Sequence, residues 1–303
     1  MKLRELLNER ISLAPHGPEV LSGVRKTTLS VIRNIYNRNS ELLQDKNTAI
    51  QFVNLVSTGL IQAYPKLLQD YSKSFVKSIP NITITEIDTD ASFQSETNTI
   101  IINKHLIGKI SNLYVNKVYN EFHKKPVQPA TNSLISSLLQ KVAYGFIHEL
   151  THFVQFSKSD KHRERSYIKN KDDAIQTLVA AGYTTKDARE EFLKSENITL
   201  DKLGLIIAKA DLTNPKNRAV YIGQPEEIAA FAQQFVSGEI SRISNLPVEK
   251  QLIEISKIMQ VLVNKTDYAE LLQSDDPAYK KVVRRFIKEI YQELDAYRDS
   301  ITQ

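Results

Sequence analysis

The spacing of the apolar residues changes character along this chain, and that change limits the folds open to it. Up to residue 80 they recur at helical spacing, through Val20, Leu21, Val24, Val31, Ile32 and Ile35 and then Ile50, Phe52, Val53, Val56 and Leu60. Pro65 and Pro80 are expected to punctuate the end of this region. From Asn81 to Ile87 apolar and polar residues alternate, which predicts a half-buried strand. After the polar stretch 94–98, the β-branched run Thr99–Asn103 predicts a second strand. Helical spacing then returns. It predicts a long helix over about 132–156, short helices over 185–193 and 200–210, a helix opened by Pro225 and running to about 236, and two more near 248–263 and 278–297. In the last of these, Val283, Phe286, Ile287, Ile290 and Leu294 make one stripe, with Arg284, Arg285 and Lys288 mostly elsewhere, as in a core-packing helix with a solvated face. The expected fold class is α+β, predominantly helical with a small β-sheet. Three stretches are expected: helical residues 1–80, a central domain over 81–240 that carries the candidate site, and helical residues 241–303.

Composition narrows the function. At 303 residues the chain can form one large domain or two ordinary ones. An apolar content of 41% with 25% charged residues is that of a globular protein, not a disordered one. No window approaches 18 uninterrupted apolar residues, so no membrane span is expected. The N-terminal MKLRELLNER is charged throughout and lacks the apolar centre of a signal peptide, which predicts a cytoplasmic protein, compatible with later release inside a virus particle. There is no cysteine, so any metal must be held by His, Asp or Glu. A net charge of +5 falls short of the footprint of a dedicated nucleic-acid binder. Residues 158–173 are polar and basic with little periodicity, as expected of a solvated surface connection.

Within the expected long helix lies His148-Glu149-Leu150-Thr151-His152. Two histidines four residues apart on a helix share a face and can grip one Zn²⁺, while the glutamate beside the first can act as a base toward water. At 100° per residue, with His148 at 0°, His152 falls at about 40° and Glu149 at about 100°. Ile135, Leu139, Val142, Phe146, Leu150, Phe153 and Val154 fall between about 120° and 240°. The histidines therefore lie opposite the apolar stripe, with Tyr144 and Gly145 on their face one turn earlier. An exposed face elsewhere in this chain is rich in Lys, Asp and Asn, whereas here only Lys141 fits that description, which predicts a cleft.

A zinc site of this kind needs a third protein ligand and one open position. A metzincin-type completion requires glycine at 155 and histidine at 158, and the chain has Gln155 and Lys158. His162 is near in sequence but falls in the basic stretch. In Tyr221-Ile-Gly-Gln-Pro225-Glu226-Glu227-Ile-Ala-Ala-Phe-Ala, a helix starting at Pro225 has Ile228, Phe231, Ala232 and Phe235 as its core stripe. Glu227 then lies about 90° from the centre of that stripe, at the edge of the buried face, while Glu226 points away. Glu227 is the candidate ligand; the alternative is that both glutamates are simply favourable charges in a first helical turn.

His148-Glu-x-x-His152 followed by a helix-borne glutamate resembles the gluzincin arrangement of zinc metallopeptidases. Tyr221-x-x-x-Pro225-x-Glu227-Ile-x-Ala230 is similar to a segment of small zinc-peptidase-like proteins of bacteria and phages. Ala91-Ser-Phe93 and Asn98-Thr-Ile-Ile-Ile-Asn103 are similar to their cleft-bordering strand. The resemblance covers roughly residues 81–240. Glu226 and Phe231 stand where the thermolysin-type pattern has Asn and Asp, and Ala229 where many phage relatives have a second acidic residue. The resemblance implies a zincin-like catalytic domain binding one Zn²⁺ through His148, His152 and Glu227. It implies Glu149 as general base in peptide-bond hydrolysis and a protein or peptide as substrate. Tyr221 is expected to stabilise the developing oxyanion, or else to pack the loop before Pro225. The strand Thr99–Asn103 is expected to present an edge to which an extended peptide adds. Two other readings stand beside this one. The chain could be a zincin-fold structural protein bound to other virion components, or, less well supported, a DNA-associated protease.

Overall fold

A computed structural model describes residues 16–43, 46–75, 78–157, 225–265 and 277–302 of the chain. The expected short helices at 185–193 and 200–210, the basic stretch 158–173, His162 and Tyr221 lie outside these residues. The described part is mostly helical, with seven α-helices and one three-stranded sheet. No helix among the described residues is long and apolar enough to cross a membrane. The chain divides into two compact units, Met1–Val154 with Gln233–Asn245, and Gln155–Ala232 with Leu246–Gln303.

The first unit opens with α1 (Gly17–Asn39) and α2 (Lys46–Phe75), joined through the 3₁₀ turn Ser40–Leu43. Pro18 in the first turn of α1 gives up an N–H that has no partner within a helix, and Glu19 and Arg38 sit at the ends that suit their charges. Buried residues repeat every four positions on both helices: Val20, Val24, Thr28 and Ile32 on α1, Phe52, Val56, Leu60, Tyr64 and Leu68 on α2. Pro65, expected to end a region, lies inside α2. It leaves the Ile61 carbonyl without its usual donor, a local cost of about 3 kcal/mol. The buried residues on either side, Tyr64 and Leu68, keep the packing stripe continuous through it.

Three strands come next: β1 (Asn81–Thr85), β2 (Ala91–Gln94) and β3 (Thr99–Asn103). β1 alternates exposed and buried as its sequence requires, with Ile82 and Ile84 inward. A turn over residues 95–98 joins β2 to β3; Asn98 takes a positive φ of 49°, a backbone region asparagine tolerates well. The sheet order is β1-β3-β2, with β1 parallel and β2 antiparallel to β3. The expectation that Thr99–Asn103 offers a free edge is therefore corrected: β3 is the central strand, hydrogen-bonded on both sides. Its run Thr99-Ile-Ile-Ile102 is buried on both faces, which is why it reads as continuous rather than alternating. The edges among the described residues are β1 and β2.

Asn103 ties β3 to the helix after it. Its side chain accepts the His105 backbone N–H at 3.0 Å and donates to the carbonyls of Ile87 and Thr89 at 2.8 and 2.9 Å. It thereby caps α3 (Lys104–Phe122), a helix absent from the sequence expectations, and fixes the β1–β2 connection. After a short turn comes α4 (Pro129–Ser157). One apolar cluster contains buried residues from α1, α2, all of the sheet's inward isoleucines, α3 and α4, so the core runs across residue 80. The unit is completed by the later part of α5 (Pro225–Ile243), where Val236, Ile240 and Ile243 are buried.

In the second unit, α6 (Val248–Lys265) and α7 (Pro277–Thr302) are described after residue 246. Phe286, Ile290, Leu294 and Tyr297 are the buried stripe of α7, and Arg284, Arg285 and Lys288 are exposed. The Tyr297 hydroxyl donates to Gln251 Oε1 at 2.9 Å, and Gln251 Nε2 in turn donates to the Leu246 carbonyl at 2.7 Å. A polar chain buried at the α6–α7 contact is thus satisfied link by link.

Candidate metal centre

The apolar stripe of α4 sets the orientation of its opposite face. Leu139, Val142, Phe146, Leu150, Phe153 and Val154 are all buried in the first unit's core. Phe146 packs on Tyr64 of α2 at 5.4 Å between ring centroids, and Phe153 meets Phe93 of β2 edge-on at 5.8 Å. These contacts hold α4 against both α2 and the sheet, one aromatic ring on each side of the histidine pair.

His148 and His152 then project from one side of α4, one turn apart. Their Nε2 atoms are 3.1 Å from each other, and their rings stand nearly perpendicular, at 82°. In a tetrahedral site with metal–nitrogen bonds of 2.0–2.1 Å, two nitrogen ligands are roughly 3.3 Å apart. The pair therefore has the spacing that a shared ion requires. The same distance suits one imidazole donating to the other, so the pair is compatible with either state. His148 is only 7% exposed and His152 is half-buried.

Glu227, in the first turn of α5, comes to the same place. One nitrogen of each histidine and one Glu227 carboxylate oxygen all lie within 4.8 Å of one another, so the three could hold a metal ion. Of the expected core stripe Ile228 and Ala232 are buried, whereas Phe231 and Phe235 are half-buried; the buried side of α5 runs instead through Ala232, Val236 and Ile240, and Glu227 is half-buried. The donor set is two imidazoles and a carboxylate, with no thiolate. That set suits zinc and other divalent transition ions such as iron(II), and it leaves coordination positions for water or substrate. Glu149 is half-buried on α4, next to His148 in sequence and about 100° around the helix from it.

Two close approaches seat the elements around these residues. A Cβ on Gly145 would stand 3.1 Å from Ala91 Cβ, so the absence of a side chain lets α4 lie directly against the start of β2. On the other side, a Cβ on Gly238 of α5 would meet the Tyr144 hydroxyl oxygen first, with Cζ at 2.9 Å and Cε1 at 3.1 Å behind it. The Tyr144 hydroxyl accepts a 2.6 Å hydrogen bond from Gln140 Nε2, one turn back on α4. Burial pushes the Tyr144 phenol above its ordinary pKa and the nearby Glu239 adds to this, with the Gln140 hydrogen bond and Arg25 acting the other way.

Of the residues singled out from sequence, His148, His152 and Glu227 are brought together, Glu149 stands beside them, and Tyr221 is outside the described residues. The contribution of Gly238 is absent from the sequence expectations, whereas β2 is the segment Ala91-Ser-Phe93 singled out there by resemblance. A signal for Gly238 existed: a glycine in mid-helix costs about 1 kcal/mol relative to alanine and so marks a close packing contact. No protein-family model, curated protein or solved structure matches the chain.

Proposed function

We propose that the chain is a zinc-dependent metallopeptidase of the gluzincin type, in which His148, His152 and Glu227 hold one Zn²⁺ and a protein or peptide is hydrolysed. The observation that carries this reading is the convergence of three suitable donors from two helices, with the histidine nitrogens 3.1 Å apart. A bound zinc supplies Lewis acidity, polarising a carbonyl oxygen and making water acidic enough to react near neutral pH. Glu149 is the chain's own proton carrier: its carboxylate takes the proton of the attacking water and returns it to the leaving amine. A metal site that served only the fold would need no such base, which favours catalysis over a zincin-fold structural or virion component. Tyr221 is assigned to the oxyanion on sequence grounds alone.

The sheet suggests how a substrate is held. β2 is an edge strand beside α4, through Ala91 against Gly145 and Phe93 against Phe153. An extended peptide would pair its backbone with the outer edge of β2, within reach of the histidine face of α4. β3 cannot serve, because both of its edges are already paired.

Metal analysis of the purified protein, joined to peptide cleavage by wild type and Glu149→Gln, tests the proposal. One equivalent of zinc in both, with cleavage by the wild type only, is expected. Protein that binds no zinc would refute the metal centre. Zinc without cleavage by the wild type would favour the structural reading.

A further inference from the structure

We infer that Tyr144 is a positioning residue for the metal centre: its ring, packed on Gly238, sets where α5 lies along α4 and so where Glu227 meets the histidine pair. The inference rests on the proposed metal centre. Tyr144, His148 and His152 succeed one another at four-residue steps, spanning about 12 Å along α4 and about 80° around it. On α5, Glu227 and Gly238 are eleven positions apart, which is about 16 Å along the axis but only about 20° around it. Both helices therefore present a packing residue and metal ligands on one side. Tyr144 lies at Gly238, whereas His148 and His152, later on α4, lie with Glu227, earlier on α5; the two helices pass antiparallel.

The contact behaves as a stop. The Tyr144 hydroxyl, with Cζ behind it, already lies where a side chain at 238 would begin, and Gln140 donates a hydrogen bond to that hydroxyl. A methyl group added at 238 must push the ring or the helix, and a displaced α5 moves Glu227 with it. The half-buried placement of both residues leaves the ring few alternatives. On this geometry the hydroxyl end of the side chain makes the closest approach to position 238, with the ring atoms Cζ and Cε1 directly behind it.

Zinc affinity of the full chain, measured by competition with a chelating dye, tests this in a double-mutant cycle alongside urea midpoints. Gly238→Ala should weaken zinc binding by about 10–100-fold, the usual range for residues that orient ligands from behind. In the Tyr144→Leu background the same change should cost no more than about threefold, because the two effects are one. Tyr144→Leu alone should weaken binding at least about fivefold, and Tyr144→Phe, which keeps Cζ and Cε1 but loses the atom nearest position 238, should fall between Tyr144→Leu and wild type. An equal loss from Gly238→Ala in both backgrounds would overturn the inference. So would variants that lower the urea midpoint while binding zinc as wild type does, since that is the result of packing alone. If Gly238→Ala does not fold, Tyr144→Leu decides: zinc binding as tight as that of wild type would overturn the inference. Wild-type protein that binds no zinc would instead remove the metal centre itself, a distinct outcome.

Discussion

Thr28 and Tyr64 meet in the contact between α1 and α2, both fully buried, and removing one hydroxyl should cost more than removing the other. Thr28 Oγ1 lies 2.6 Å from the Val24 carbonyl oxygen and 2.7 Å from Tyr64 Oη. A carbonyl can only accept, so the single Thr28 proton goes to Val24, and Tyr64 must be the donor to Thr28. In Thr28→Val the Tyr64 hydroxyl is left buried without its acceptor, which costs about 1–3 kcal/mol. In Tyr64→Phe the Thr28 hydroxyl keeps its bond to Val24 and loses only an incoming donor, so the cost is that of one ordinary hydrogen bond, about 0.5–1.5 kcal/mol. Urea unfolding followed by far-ultraviolet circular dichroism, with midpoints compared at equal slope, measures the difference. Thr28→Val should be the less stable variant by about 1 kcal/mol. Equal costs, or a larger cost for Tyr64→Phe, would refute the donor assignment. The result bears on the site, because the Tyr64 ring is the partner of Phe146, two positions before His148.

Three further outcomes are expected from the same geometry. Phe146→Ala should destabilise the fold by about 3–5 kcal/mol, the range for emptying a fully buried aromatic position, and thermal or urea unfolding will show it. Burial holds the Tyr64 phenol far above the usual tyrosine range, against the opposing Thr28 hydrogen bond. The folded chain therefore keeps a proton that the unfolded chain releases near pH 10. Its contribution to stability is intact below pH 10 and is lost above it by up to about 1.4 kcal/mol per pH unit, a slope that Tyr64→Phe should reduce. Glu227→Gln and His152→Ala should each lower zinc affinity by more than the 10–100-fold typical of supporting residues, with little change in helix content. Wild-type affinity in either variant would remove that residue from the ligand set.

Local pattern carries much of this structure. The four-residue spacing in α1, α2 and α7 and the alternation in β1 come directly from side-chain periodicity, and the helix bearing His148 and His152 is legible within a few residues of its ends. Glu227 is legible as the helix-borne glutamate after Pro225, although of the stripe used to place it Ile228 and Ala232 are buried and Phe231 and Phe235 are only half-buried. The illegible part depends on partners distant in the chain. Ile100–Ile102 is continuously apolar because β3 is central, a fact fixed by β1 and β2 rather than by its own residues. Pro65 is tolerated because packing at Tyr64 and Leu68 outweighs a lost backbone bond. Gly238 has meaning only beside Tyr144, and no local rule in either segment names the other. The helix Lys104–Phe122 is a different case, since the Asn103 cap and the spacing of Leu106, Ile107 and Ile110 mark it locally.

The order of the three candidate ligands along the chain has a consequence for folding. The histidine pair is a local product, complete whenever a single turn around residue 150 has formed. Glu227 joins it only when the backbone from residue 152 to residue 227 has been brought back on itself. In chain-entropy terms a metal held by all three is a cross-link closing a long loop, worth about 4 kcal/mol against the unfolded ensemble. An ion met early by the nascent chain would find two ligands and bind loosely. The same ion would be gripped only once that loop had closed, so that tight binding would itself report a completed fold.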